Sequence, residues 1–122
     1  VSNGPAINEK LNKLYFSDSF NSSIYEYNLR TLKRKIIYKF DRKQGFPDGI
    51  ALDGQNGLWV AHWAGGKVSR INLKTYKIDQ QIKLPALNIT SVTFVGKKLT
   101  LFYTGSGRYV ITRGGHFVPA LV

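Results

Sequence analysis

The 122-residue sequence predicts an all-β chain with the architecture of a partial β-propeller, about two and a half four-stranded blades. Three observations carry this. The sequence repeats with a period of about 44 residues: Leu14-Tyr-Phe-Ser-Asp-Ser and Ser23-Ile-Tyr-Glu-Tyr-Asn-Leu-Arg-Thr31 align with Leu58-Trp-Val-Ala-His-Trp and Lys67-Val-Ser-Arg-Ile-Asn-Leu-Lys-Thr75. Each period holds four short strand-like runs separated by turn residues, the pattern of a propeller blade. No segment keeps apolar residues at i, i+3, i+4 over three helical turns, so helix content is low. A β-sandwich or partial barrel is the competing all-β reading, and the regular four-strand period favours the propeller.

The elements follow in order from that period. In the first blade (about 1–44) the inner strand is read at Ala6-Ile7, an aromatic-rich second at Leu14–Ser19, an alternating third at Ser23–Thr31 and an amphipathic outer strand at Lys35–Phe40. In the second (about 45–88) the inner strand is Ile50–Leu52, followed by the turn Asp53-Gly-Gln-Asn-Gly57, a second strand Leu58–His62, the Gly65-Gly66 turn, a third strand from Lys67 and an outer strand Asp79–Leu84. Asp-Gly, Asn-Gly and Gly-Gly accept the positive φ angles that tight hairpins need. A third copy (about 89–122) begins at Thr90–Phe94, continues at Leu99–Thr104, and degenerates beyond Gly105. All of this fits one domain over 1–122. Two or three blades do not close a ring, which usually takes four or more. A chain that opens on Val1 without a methionine reads as the middle of something longer, so the remaining blades are expected from further sequence or from a second copy.

Composition excludes several functions. Without cysteine there is no disulfide, thiolate metal site or cysteine nucleophile, and the compartment leans to the cytoplasm. No apolar run approaches the roughly 20 residues of a membrane-spanning helix, so a soluble protein with no membrane partner is expected. The 18 Lys+Arg against 7 Asp+Glu give a net charge of +11, which favours anionic partners through long-range attraction. The basic residues are scattered over alternating strand positions and turns, as on solvated outer faces. No aromatic and basic motif accompanies the charge, so nucleic acid is not the expected partner. No phosphate loop, nucleophile elbow or paired-histidine motif is present.

One constellation stands out. The inner strands begin with comparable turns, Ser2-Asn3-Gly4, Pro47-Asp48-Gly49 and Thr90-Ser91-Val92, so a propeller brings Asn3, Asp48 and Ser91 to one mouth of its channel. An amide and a carboxylate suit a hard divalent cation such as Ca2+, Mg2+ or Mn2+, whereas Zn2+ more often brings His or Cys. Taken singly, Asn-Gly and Asp-Gly are turn formers. Their equivalent placement in consecutive repeats raises the ligand reading beside that one. Asp18 and His62 fall at corresponding places near the ends of second strands, where they serve proton transfer or packing. Trp59 and Trp63 read as wedges between blades, with substrate stacking as the second reading for Trp63. His116 lies in the degenerate tail and reads as structural or exposed.

At these residues a resemblance emerges. Ser2-Asn-Gly-Pro-Ala6, Leu14–Ser19, Phe46-Pro-Asp-Gly-Ile50, Gly57–Trp63, Gly65–Val68, Leu84-Pro85 and Thr90-Ser91 resemble, in order and spacing over about 1–104, the C-terminal half of the regucalcin/gluconolactonase (SMP-30) family of six-bladed propellers. The resemblance implies a metal-dependent lactonase of sugar lactones, with one divalent cation (Ca2+, Zn2+, Mn2+ or Mg2+). Its ligands are implied to be Asn3, Asp48 and a Glu from a blade outside this chain. Asp48 is also implied as general base, with Asp18, His62 and Ser91 in supporting places. The family's Glu and its substrate-binding Arg and Asn belong to N-terminal blades, so the isolated chain carries half a site. The short run from Thr104-Gly-Ser-Gly-Arg108 to Gly114-Gly-His-Phe117 departs from the family's long loop at this place. The alternative function is a non-catalytic basic binding module for anionic partners.

Overall fold

The structure, a computed structural model, describes residues 2–95, 98–103, 108–111 and 117–119, with side chains described within 4–94. Twelve strands run in chain order: β1 Ser2–Asn8, β2 Lys13–Asp18, β3 Ser23–Asn28, β4 Arg34–Lys39, β5 Phe46–Leu52, β6 Gly57–Trp63, β7 Lys67–Asn72, β8 Lys77–Lys83, β9 Ile89–Val95, β10 Lys98–Tyr103, β11 Arg108–Ile111 and β12 Phe117–Pro119. They form three antiparallel sheets of four consecutive strands each. A single 3-10 turn at Arg42–Gln44 links the first sheet to the second. The chain is an all-β partial propeller. Where the repeat fades beyond Gly105, pairing continues: Tyr109 opposes Pro119 and Leu101 opposes Tyr109.

The repeat is written into the backbone as well as the sequence. Left-handed φ angles recur at Asn12 and Asn56, at Ser22 and Gly66, and at Leu32 and Tyr76, each pair 44 positions apart. Turn chemistry explains the clearest sequence match. Asn28 Oδ1 accepts the amides of Arg30 and Thr31 at 2.9 and 3.1 Å, and Asn72 Oδ1 accepts that of Lys74 at 2.9 Å. Such side-chain turns close the β3–β4 and β7–β8 hairpins without help from tertiary contacts.

The core lies between sheets. Along β6, Leu58 and Val60 pack toward the first sheet with Tyr15, Ile24, Ile37 and Phe40, while Trp59 and Ala61 pack toward the third with Ile89 and Val92. A strand sandwiched on both faces loses the alternation of buried and exposed residues, and Gly57 to His62 are all buried. Lys33, Lys35, Lys39, Lys77 and Lys83, on or beside the outer strands, are exposed. Among the described residues no helix is long and apolar enough to cross a membrane.

Candidate functional site

The start of each inner strand is irregular at the same place in the repeat. β1 is bulged between Asn3 and Ala6, and β5 between Pro47 and Ile50. A bulge re-aims the side chains it carries. Asp48 therefore sits inside β5, within its bulge, and not in a turn ahead of a strand beginning at Ile50. The backbone of Asn3 pairs with Ser17 on β2, and the buried Ser17 hydroxyl donates to the Asp48 carbonyl at 2.6 Å. Ser19 repeats the tie one step on, donating to the Pro47 carbonyl at 2.7 Å. On the other side, a Cβ built on Gly49 would lie 2.8 Å from both the Ser91 Cα and the Thr90 carbonyl oxygen. Only glycine allows β5 and β9 to approach so closely. The three inner strands thus bring the backbones of Asn3, Asp48 and Ser91 to one end of the sheets. The Asn3 side chain lies outside those described, as does the whole of His116.

Charge distinguishes Asp48 from the other carboxylates that burial touches. Glu26, 5% exposed, holds Lys13 Nζ at 3.0 Å and Lys35 Nζ at 3.7 Å, and accepts the Tyr76 hydroxyl at 3.0 Å. Burial opposes its ionisation, but hydrogen bonds from Lys13 and Tyr76 outweigh burial and its pKa falls below the ordinary value. Asp53 holds Arg70 Nε at 2.7 Å and accepts the Trp59 indole N–H at 2.9 Å, with the same net result against the same opposing burial. Asp48 is half-buried, and its carboxylate makes no ion pair or hydrogen bond with a described residue. Desolvation alone pushes its pKa up. A desolvated carboxylate without a counter-charge among the described residues suits an external cation or proton. Its hard oxygens, with an amide oxygen from Asn3, are the donor chemistry of Ca2+, Mg2+ or Mn2+. Among the described residues no three His, Cys, Asp or Glu side chains cluster.

The supporting residues divide. Ser91 is half-buried on β9, against Gly49. Asp18 organises the β2–β3 turn, accepting the Asn21 side-chain amide at 2.6 Å and the Phe20 amide at 3.1 Å; the Asn21 bond leads in lowering its pKa. His62 is fully buried, edge-on to Phe40 with ring centroids 4.7 Å apart. Its Nδ1 lies 3.0 Å from the Gln44 carbonyl oxygen and its Nε2 2.8 Å from Ser69 Oγ. A carbonyl only accepts, so Nδ1 carries the proton and Nε2 accepts from Ser69, which itself accepts from Gln81 at 3.1 Å. Burial, then Lys67, pushes the imidazole down to about 4. Both nitrogens being engaged, His62 fastens the link between sheets and is not placed as a proton shuttle with Asp18. Trp59 is the wedge between the second and third sheets, while Trp63 is 42% exposed beside Phe46.

Sequence reasoning passed over the two charge clusters. Asp53 read only as a turn residue, yet with Asp79 it clamps Arg70, whose Nη1 lies 2.6 Å from Asp79 Oδ2. The available signal was positional: Glu26 and Arg70 occupy the same repeat position, 44 residues apart, each two residues after a fully buried Ile24 or Val68. A charge at that parity has to find a partner.

Comparisons with known proteins agree with this geometry. The sequence pattern of the SMP-30/Gluconolactonase/LRE-like region matches residues 1–108. Regucalcin of Danio rerio is 39% identical over 97 residues, which cover 75% of this chain and 33% of that protein. The chain therefore spans about a third of the length of that relative. The solved luciferin-regenerating enzyme superposes with a TM-score of 0.75 at 28% identity, over 84% of this chain and 37% of its own. Virginiamycin B lyase from Staphylococcus aureus superposes with a TM-score of 0.80 over 99% of this chain and 41% of its own; at 18% identity it speaks for the fold alone.

Proposed function

Because the chain belongs to the SMP-30/gluconolactonase/LRE-like family, we propose that it forms part of a metal-dependent hydrolase of sugar lactones in which Asp48 is the general base. The observation that carries this is the half-buried Asp48 carboxylate, without a counter-charge among the described residues, where three inner strands meet. One divalent cation, held by Asp48 and Asn3 with ligands from further blades, would supply Lewis-acid polarisation of the lactone carbonyl. Asp48 takes a proton from the attacking water as its oxygen bonds to the carbonyl carbon. The ring C–O bond then breaks, and the departing alkoxide recovers that proton from Asp48, releasing the hydroxy acid. The Ser17 bond to the Asp48 carbonyl fixes the backbone from which the base projects. The remaining blades, from a longer polypeptide or a second copy, complete the ring and the ligand set.

The test is lactone hydrolysis by a ring-completed protein carrying these residues. Asp48→Ala is expected to lower turnover by at least a hundredfold, the range general-base removal commonly costs. Near-normal turnover would reject the role of Asp48.

A further inference from the structure

Beside the inner-strand mouth lies a cleft of about 330 Å3 lined by Ser19, Phe20, Arg42 and Phe46. Three segments build it. Phe20, 74% exposed, stands on the β2–β3 turn that Asp18 organises. Arg42 comes from the 3-10 turn, where Asp41 Oδ1 accepts the Lys43 amide at 2.9 Å. Phe46 opens β5 two residues before Asp48, with Trp63 at 6.2 Å between ring centroids.

The walls are held in place. Ser19 Oγ bonds the Pro47 carbonyl. Gly45 has φ 86°, and a Cβ there would lie 2.5 Å from the Trp63 carbonyl oxygen, so the linker is seated directly on the β6–β7 turn. An exposed phenyl ring on a loose loop would say little. Two aromatic rings, Phe20 from the β2–β3 turn and Phe46 from β5, line one cleft on fixed backbone and form a preorganised apolar surface. Arg42 is exposed and makes no ion pair among the described residues, so its guanidinium is open to an anionic group in the cleft it lines.

We propose that this cleft is a subsite for the apolar, carboxylate-bearing arm of the ligand, with the rings of Phe20 and Phe46 taking the arm, Trp63 standing behind Phe46, and Arg42 taking its carboxylate. A polyol would be poorly served there, since the Ser19 hydroxyl already donates to Pro47 and the other walls are largely carbon. As a statement about substrate, the inference rests on the lactonase reading of Asp48, the hydroxylated ring lying at Asp48 and the arm in the cleft. As a statement about binding it does not.

The experiment is a titration of the 122-residue protein with 2-naphthoate in EDTA, followed by amide and indole NMR shifts, with 2-naphthalenemethanol and gluconate as comparisons. Naphthoate is expected to shift the amides of Phe20, Arg42 and Phe46 and the Trp63 indole, and to bind at least fivefold more tightly than either comparison compound. Phe20→Ala and Arg42→Gln, both at exposed positions and checked by circular dichroism, should each weaken it at least fivefold. Arg42→Gln should also erase the preference over the alcohol. Shifts elsewhere, equal affinity for gluconate, or unchanged affinity in both variants would overturn the proposal. Binding in EDTA is independent of hydrolysis: naphthoate binding without lactonase activity in the ring-completed protein sinks the hydrolase reading and leaves the subsite standing.

Discussion

At the residue scale, burial and charge separate polar side chains that hold the fold from Asp48, whose carboxylate has no charged partner among the described residues. His62 belongs to the first group. Its imidazole is pushed from 6.5 to about 4 by burial, with Lys67 adding to it, so the fold favours the neutral ring. A depressed histidine pKa means stability that is complete above the unfolded value and declines as pH falls from 6.5 toward 4. The full decline is about 3 kcal/mol. Urea unfolding between pH 7 and 4 should therefore show a loss of stability that His62→Gln reduces, since glutamine does not titrate. An unchanged slope in the variant would mean that the buried imidazole is not its source. Neither the depth of His62 nor the pairing of Glu26 with Tyr76 was legible in the sequence, because each depends on a neighbour from another sheet. Glu26 and Tyr76 are 50 positions apart. Asp48 was legible, since its place in the repeat marked it before any coordinates.

At the element scale, the strands were readable to within a few residues because the turns between them carry their own chemistry. Asn28 and Asn72 close equivalent hairpins through local hydrogen bonds that a sequence displays directly. The inner strands were read too short. β5 runs from Phe46, and the bulge at Asp48 let a proline and two turn-prone residues lie within a strand. The two strands beyond Gly105, β11 and β12, were likewise hidden, as their pairing with β10 and with each other rests on geometry and not on a preserved repeat. β6 is where burial on both faces concentrates stability. Truncating the fully buried Leu58 to alanine should cost about 2–5 kcal/mol, as large-to-small changes in packed cores do. Chemical denaturation measures this, and a cost below about 1 kcal/mol would mean that the first two sheets do not meet there.

At the scale of the whole molecule, three sheets stacked in series bring residues some 44 positions apart to one mouth. That convergence follows from repetition: β1 and β5 are bulged at corresponding places, and Gly49 seats β5 against Ser91 of β9. Exposed lysines stand on or beside the outer strands and in turns, while the half-buried Asp48 carboxylate has no charged partner among the described residues. The most direct test is Mn2+ titrated into the 122-residue protein while the backbone amide signals are followed by NMR. The account predicts that the amides around Asn3, Asp48 and Ser91 broaden first and together, and that Asp48→Asn abolishes the effect. Broadening centred on the surface carboxylate Asp79, or broadening at the mouth that survives in the variant, would contradict it.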